Sequence, residues 1–389
     1  MDVPALKASW ARIEQLGDQA PALFYAILFT LAPEMRSMFP IAMNTQRDKF
    51  LSAMGHLIKN VNHEEQFRTF VSQLGRDHRR FDVLPHHYPV VGRALLATLE
   101  RALGSAWTAQ LAADWAAAYN VVAGLMVDAA QEAATMTPPW WDAKVVDAQR
   151  RCAEITVLTV RPDLPYPYVP GQSLAVETAL RPKVWRYLSP ANRPRPDGTL
   201  EFHIRAVRGG QVSPALAYRL RAGDALRLGA PVGTALIGYL TSPRNLLLIA
   251  GGTGLAPMRA IVEQLAHEGT RRLVTLVIGA NTVSDLYDLD ALTRLDATLP
   301  WLNVVHAVSD DPLWTGQRGT AVDVALRLGD WSSCDIYLCG SPHAVAGSAA
   351  RLVAAGYHAD QIHAEEFHND RYLPAVPMRR DRREERVSH

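Results

Sequence analysis

The chain has 389 residues, 48% of them hydrophobic and 20% charged, with a formal net charge of +1; at about 150 residues per domain this is a globular chain of two or three domains, not a disordered one. Near-neutral charge offers no field for nucleic acid or an anionic membrane. The N-terminal MDVPALKASW lacks a signal-peptide pattern, and no apolar run reaches the roughly 18 residues of a transmembrane helix. Cys152, Cys334 and Cys339 are too few and too scattered for a disulfide framework, so a reducing cytoplasm is the expected compartment.

The first ~135 residues read as all helix. Leu6, Trp10, Ile13 and Leu16 recur at helical spacing, as do Leu23, Phe24, Ile27, Leu28 and Leu31 before Pro33. Ala94–Leu103 and Leu111–Ala130 are Ala/Leu-rich helix formers with an apolar stripe. Histidine is the commonest metal ligand, and the region offers His56, His63, His78, His86 and His87. His78 has the best context: it ends a helix that starts near His63, and it shares a face with Phe70 and Leu74. Spacing alone does not separate it from the other four.

Thr137-Pro138-Pro139-Trp140-Trp141 breaks the helical pattern, and residues 137–145 are expected to be a linker after a first domain over 1–136. The alternating, β-branched AEITVLTV (153–160), then Ser173–Val176 and Leu200–Ile204, read as strands separated by Pro/Gly/Asp turns. Short strands with regular turns predict an antiparallel β-barrel over 146–238. Within it, Arg186 and Ser189 put a guanidinium and a hydroxyl on one strand, able to hold a phosphate and a ring atom. Gly209-Gly210-Gln211-Val212-Ser213 can cradle a second phosphate with glycine amides and a serine.

From 239 to 372 buried strands alternate with helices: Asn245–Ala250, a glycine turn, a helix over Pro257–Gly269, then strands at Leu273–Ile278 and Asp335–Cys339. This predicts an α/β domain with a parallel sheet. The turn Gly252-Thr253-Gly254-Leu255-Ala256-Pro257 lies between strand and helix, where glycines let the backbone approach a pyrophosphate and helix amides favour its charge. Cys339 either lines a nicotinamide pocket or is a small core side chain. The charged tail over 373–389 is expected to be disordered.

Taken in order, Pro170-Gly171-Gln172, Arg186-x-x-Ser189, Gly209-Gly210-x-x-Ser213, Gly223-Asp224, Pro231-x-Gly233, the glycine turn and Tyr337-x-Cys339-Gly340 resemble the ferredoxin–NADP reductase superfamily over about residues 146–370. Ala22–Phe39 and His78–Leu99 resemble the globin part of the bacterial flavohaemoglobins. The combined resemblance implies haem b, FAD and NADH as cofactors on a globin, FAD-barrel and NAD-domain framework. It implies His78 as the proximal haem ligand, Tyr25 and Gln46 as distal hydrogen-bonding groups, Tyr88 on the proximal side, and Phe39 and Phe50 in the haem pocket. Without that resemblance, Tyr25 and Phe39 read equally as helix-bundle core. Likewise it implies that Arg186 contacts the FAD pyrophosphate, Ser189 reaches the flavin, and Gly210 and Ser213 hold phosphate. Gly252, Gly254, Pro257 and Cys339 would meet the nicotinamide cofactor, and Glu365 and Phe367 would flank the flavin unless they form only the last strand.

Three positions depart from the family pattern. The tyrosine that packs on the flavin is replaced by Leu188, with Tyr187 one place earlier; Tyr187 is kept among the expected cofactor-binding residues, although a regular strand turns it to the opposite face unless a bulge intervenes. Ala130 stands where a proximal glutamate is usual, and Gln131 and Glu132 point elsewhere on the helix; Asp77 stands where lysine normally precedes the histidine. With no second-shell carboxylate, the His78 N–H is expected to bond a backbone carbonyl of the preceding turn. The resemblance implies nitric-oxide dioxygenation, with dioxygen, nitric oxide and NAD(P)H as partners. The turn Gly279-Ala280-Asn281 has no arginine for a 2′-phosphate and favours NADH, leaving NADPH open. The competing readings are a divergent FAD/haem oxidoreductase, acting as an organic-donor dehydrogenase or an acceptor reductase, and a haem-based gas sensor. The absence of an output module opposes the sensor.

Overall fold

The computed structural model describes residues 1–367; the expected tail over 373–389 and the end of the third module lie outside the described residues. The chain begins as a helical module. Helix α1 (Val3–Glu14) starts where the Asp2 carboxylate accepts the Ala5 amide at 3.0 Å, satisfying one of the first-turn N–H groups. Helix α2 (Gln19–Leu31) stops before Pro33. There follow α3 (Asn44–Asn60), α4 (Glu64–His78), α5 (Tyr88–Leu103) and α6 (Ala109–Ala134), the last capped by Thr108 on the Leu111 amide at 3.2 Å. Helix α4 begins and ends as the sequence predicts. Its crossing with α6 is close: a Cβ on Gly75 would lie 2.3 Å from the Met126 carbonyl oxygen. Only glycine permits that approach, and it fixes the C-terminal turn that carries His78.

An antiparallel barrel follows, of β1 (Trp141–Arg150), β2 (Ile155–Pro162), β3 (Ser173–Thr178), β4 (Arg186–Leu188), β5 (Leu200–Arg205) and β6 (Ala225–Val232), with the short helix α7 (Ser213–Tyr218) between the last two. The strand order is β4-β3-β6-β1-β2-β5, and a bridge between Pro190 and Phe202 joins the two edges, so the barrel is nearly closed. The expected linker over 137–145 is corrected by β1. Its prolines do end the helical region, but Trp141, Ala143 and Val145 are buried while Asp142 and Lys144 are exposed. That period of two makes them the first barrel strand.

The third module carries β7 (Asn245–Gly251), α8 (Leu255–Glu268), β8 (Val274–Ala280), α9 (Leu289–Thr298), β9 (Leu302–Val308), β10 (Gln317–Arg318), α10 (Ala321–Leu328), β11 (Cys334–Gly340), α11 (Pro342–Ala354) and β12 (Ile362–Glu366). All its strands are parallel, in the order β10-β9-β8-β7-β11-β12. The chain therefore reverses direction across the sheet between β7 and β11, and their carboxyl ends open a crevice at that switch point. Helix α8 begins at Leu255, two residues earlier than predicted, with Pro257 inside the first turn where its missing N–H costs nothing.

Charged groups buried between the barrel and the third module bind the two together. Arg259 of α8 donates to Glu201 of β5 at 2.8 Å and to Asp288 at 3.0 Å, while His203 and the Tyr287 hydroxyl are 2.8 Å apart. Burial alone would raise the Glu201 carboxyl, but the His203 hydrogen bond and the Arg259 charge outweigh it and pull its pKa to about 2. Among the described residues no helix is long and apolar enough to cross a membrane.

Candidate functional site

A cavity of about 440 Å³, within the size range of cofactor pockets, opens in the helical module and reaches the barrel, where Trp185, Arg186 and Tyr187 line it. His78 lines it from the end of α4, Tyr25 from α2, and Gln46 and Phe50 from α3. Phe39 and Tyr88 also line it. The six helical-module residues singled out from the sequence are therefore brought together around one space. The other histidine candidates do not share this setting, except for His87, which reaches the lining but uses Nδ1 to accept the Leu84 amide at 3.0 Å.

Nδ1 of His78 lies 2.7 Å from the Leu74 carbonyl oxygen. A carbonyl can only accept, so Nδ1 carries the proton and Nε2 keeps its lone pair. Burial holds the ring below the ordinary histidine pKa, against the opposing effects of the Leu74 carbonyl and Asp77; the imidazole is neutral and able to ligate. No carboxylate takes the Nδ1 proton, as the sequence predicts. Gln131 and Glu132 are exposed, and Glu132 faces Arg76 at 4.0 Å. Burial pushes the Tyr88 phenol up to about 12, so it remains protonated.

Opposite His78, the Gln46 amide donates to the Tyr25 hydroxyl oxygen at 3.1 Å. Burial raises the Tyr25 phenol well beyond its usual range, so it keeps its own proton to donate into the cavity. Aromatic rings hold it in place: Phe39 meets it edge-on at 5.4 Å, and Phe50 lies edge-on at 5.9 Å while stacking on Phe24 at 4.3 Å. A neutral imidazole with a free lone pair, apolar walls and one oriented hydroxyl form a donor set that fits a haem.

The second site runs along β4. Arg186 is half-buried; Ser189, just beyond the strand, is buried and its hydroxyl makes no hydrogen bond within the described residues. A buried hydroxyl without a partner is costly, and a flavin ring atom would supply one. Gly210 sits in a tight turn, its amide on the Val207 carbonyl at 3.0 Å, and the Ser213 hydroxyl accepts the Val207 amide at 3.1 Å. Strand β4 pairs with β3 in unbroken register, Leu188 opposite Leu174 and Tyr187 opposite Ala175. No bulge turns Tyr187 toward the face of Leu188. Its hydroxyl lies against Arg80 and Asp77 of the helical module, at 3.2 and 3.4 Å. Strand alternation sends Tyr187 to the other module, where it lines the same cavity as His78.

The third site is the crevice at the β7/β11 switch point. A Cβ on Gly254 would fall 2.1 Å from the Cys339 carbonyl oxygen, so the glycine turn lies directly on the end of β11. Gly252 has φ of +54°, and Pro257 follows on α8. Cys339 is 2% exposed and belongs to the sheet core; burial drives its thiol well above the usual range. It pairs in register with Glu365 of β12. The Phe367 amide donates to the Gly340 carbonyl at 2.8 Å. Glu365 and Phe367 therefore are residues of the last strand and its exit, and they also stand at the mouth facing the barrel. Sequence reasoning missed Arg80 and Trp185, both buried at the module boundary; an arginine in a turn carries no pattern that marks it as buried.

Comparison with known proteins gives the same division. The globin family model matches residues 22–126, the oxidoreductase FAD-binding domain 142–237 and the oxidoreductase NAD-binding domain 248–350. A flavohemoprotein of Deinococcus radiodurans is 30% identical over 378 residues, 90% of this chain and 91% of that protein. The electron transfer component of a xylene/toluene monooxygenase of Pseudomonas putida is 33% identical, but over only 58% of this chain and 65% of its own length. The crystal structure of a flavohemoglobin from Malassezia yamatoensis, with bound FAD and heme, shares the fold with a TM-score of 0.77 at 19% identity, covering 94% of this chain and 98% of that one. With its helical cavity, its barrel and its switch-point crevice in that order, the chain belongs to the flavohaemoprotein family, a haem globin joined to an FAD- and NAD-binding oxidoreductase.

Proposed function

We propose that the protein is a nitric-oxide dioxygenase driven by NADH. The observation that carries this reading is the Tyr25–Gln46 pair facing His78 across the cavity. With haem, FAD and NADH bound, the cofactors supply the redox chemistry: electrons from NADH pass to the globin, where dioxygen and nitric oxide combine to nitrate. His78 holds the iron through Nε2, with the Leu74 carbonyl setting its tautomer. With dioxygen bound in the cavity, Tyr25, oriented by Gln46, would donate a hydrogen bond to it and so stabilise negative charge there. Phe39, Phe50 and the apolar walls exclude water and leave room for a small neutral gas. Arg186 and Ser189 position FAD, and the Gly252–Pro257 turn receives the dinucleotide.

NADH is favoured over NADPH by charge as well as by the missing arginine. Behind β8 the Asp285 carboxylate binds the Thr282 amide at 3.1 Å, and Asp311 binds the Val283 amide at 3.3 Å. Two carboxylates at that turn repel a 2′-phosphate. The test is NADH consumption and nitrate formation by the purified, cofactor-loaded protein on addition of nitric oxide under air. Stoichiometric nitrate is expected; NADH oxidation that nitric oxide does not accelerate would sink the reading. In Tyr25→Phe, dioxygen release should accelerate by roughly 5- to 150-fold, the equivalent of a donor worth about 1–3 kcal/mol. An unchanged release rate would place Tyr25 outside the ligand's reach.

A further inference from the structure

The positions Asp77 and Tyr187, which depart from the family pattern, meet each other. Asp77 and Arg80 are 7% and 4% exposed. Arg80 donates to Asp77 Oδ1 at 3.2 Å and to the Tyr187 hydroxyl at 3.2 Å; the Tyr187 hydroxyl faces Asp77 Oδ2 at 3.4 Å, and Gln73 donates to Asp77 Oδ1 at 3.3 Å. The Arg80 guanidinium also lies over the rings of Phe81, Trp185 and Tyr187, 5.2 to 5.5 Å from their centres. Phe81 bridges the two modules as well, edge-on to His78 at 6.4 Å and to Trp185 at 6.3 Å. Asp77, Arg80 and Phe81 belong to the helical module; Trp185 and Tyr187 belong to the barrel.

The chain neighbours of this cluster give it its meaning. Asp77 immediately precedes His78, and Tyr187 lies between Arg186 and Ser189 on the strand of the flavin site. The cluster thus joins the turn that carries the iron-binding histidine directly to the strand that carries the flavin-binding residues. A buried charge pair seldom adds stability over an apolar pair of the same size. Its strength is specificity of geometry: the planar guanidinium reaches the Asp77 carboxylate and the Tyr187 phenol together only when the modules sit in one relative position.

We infer that Arg80, held by Asp77 and Tyr187, is a positioning residue that docks the globin on the FAD barrel and fixes the flavin-to-haem separation for electron transfer. The inference rests on the family's electron transfer and not on nitric oxide as substrate, so it can fail while that reading stands. Electron transfer weakens with every ångström of added separation, so a loosened dock slows it.

The experiment is anaerobic stopped-flow mixing of the cofactor-loaded full chain with NADH, following the flavin and haem bands separately. Arg80→Met should leave flavin reduction by NADH unchanged and slow haem reduction severalfold. If the unpaired Asp77 charge prevents folding, the double variant Asp77→Leu with Arg80→Met removes both charges while keeping the volume apolar, and the same slowing is expected. Arg80→Lys, which cannot make the forked contact, should restore little of the rate. Haem reduction at the parent rate in either Met variant overturns the inference. So does slowed reduction accompanied by a shifted haem potential, because the cluster would then act on the iron and not on the separation.

Discussion

At the scale of single residues, burial decides which proton sits where. His78 is neutral because burial lowers its pKa against the Leu74 carbonyl, which sets the tautomer; burial likewise keeps Tyr25 protonated, and Gln46 orients its hydroxyl. Burial moves the Glu365 carboxyl into the physiological range, to about 7, against the lowering influence of the nearby Ser173 hydroxyl. The protonated form is favoured in the folded protein. Its contribution to stability is therefore complete below the ordinary carboxyl pKa of about 4.3 and is lost as pH rises through 7. Two effects are expected. Wild-type stability should decline between those values, and flavin reduction by NADH should change with a midpoint near 7. Glu365→Gln should abolish both; profiles that keep the same midpoint in the variant would assign the titration to another group.

At the scale of elements, two close approaches place the sites. Helix α4 can carry His78 to the cavity because Gly75 lets it lie against the Met126 backbone of α6. Gly75→Ala should separate the helices, destabilise the protein by about 1–3 kcal/mol as other overpacked sites do, and weaken haem retention with a shifted haem absorption band. Thermal unfolding and haem transfer to an acceptor globin measure the two effects, and a variant as stable and as retentive as the parent would mean that the crossing tolerates a methyl. The glycine turn after β7 is the second such contact, pressed onto the backbone of β11 at Gly254. Strand β4 is an element of three residues whose alternation points Tyr187 one way and its neighbours the other, and that alternation brings its hydroxyl to Arg80 and Asp77.

At the scale of the molecule, three modules are joined by two buried polar clusters of different kinds. Arg259, Glu201, His203 and Asp288 tie the barrel to the dinucleotide module; Asp77, Arg80 and Tyr187 tie it to the globin. Since the helical cavity and the switch-point crevice are built from separate cores, His78→Ala should abolish haem binding while NADH still reduces FAD at close to the parent rate. Loss of both cofactors in that variant would show that the globin and the reductase do not fold as independent units.

The sequence by itself determined the three modules, the helix that ends at His78, the Arg186–Ser189 strand and the glycine turn, because each is written in local periods and in turn residues that only certain backbones accept. It also predicted the carbonyl partner of His78 from the missing proximal carboxylate. The tertiary structure alone decided which residues meet across module boundaries. That Tyr187 turns to Arg80, that Glu365 pairs in register with Cys339, and that Trp141 begins a strand rather than ending a linker follow from long-range pairing. Period and propensity describe a segment's own backbone; a buried arginine finds its carboxylate and its phenol only after two separately folded cores have been set against each other.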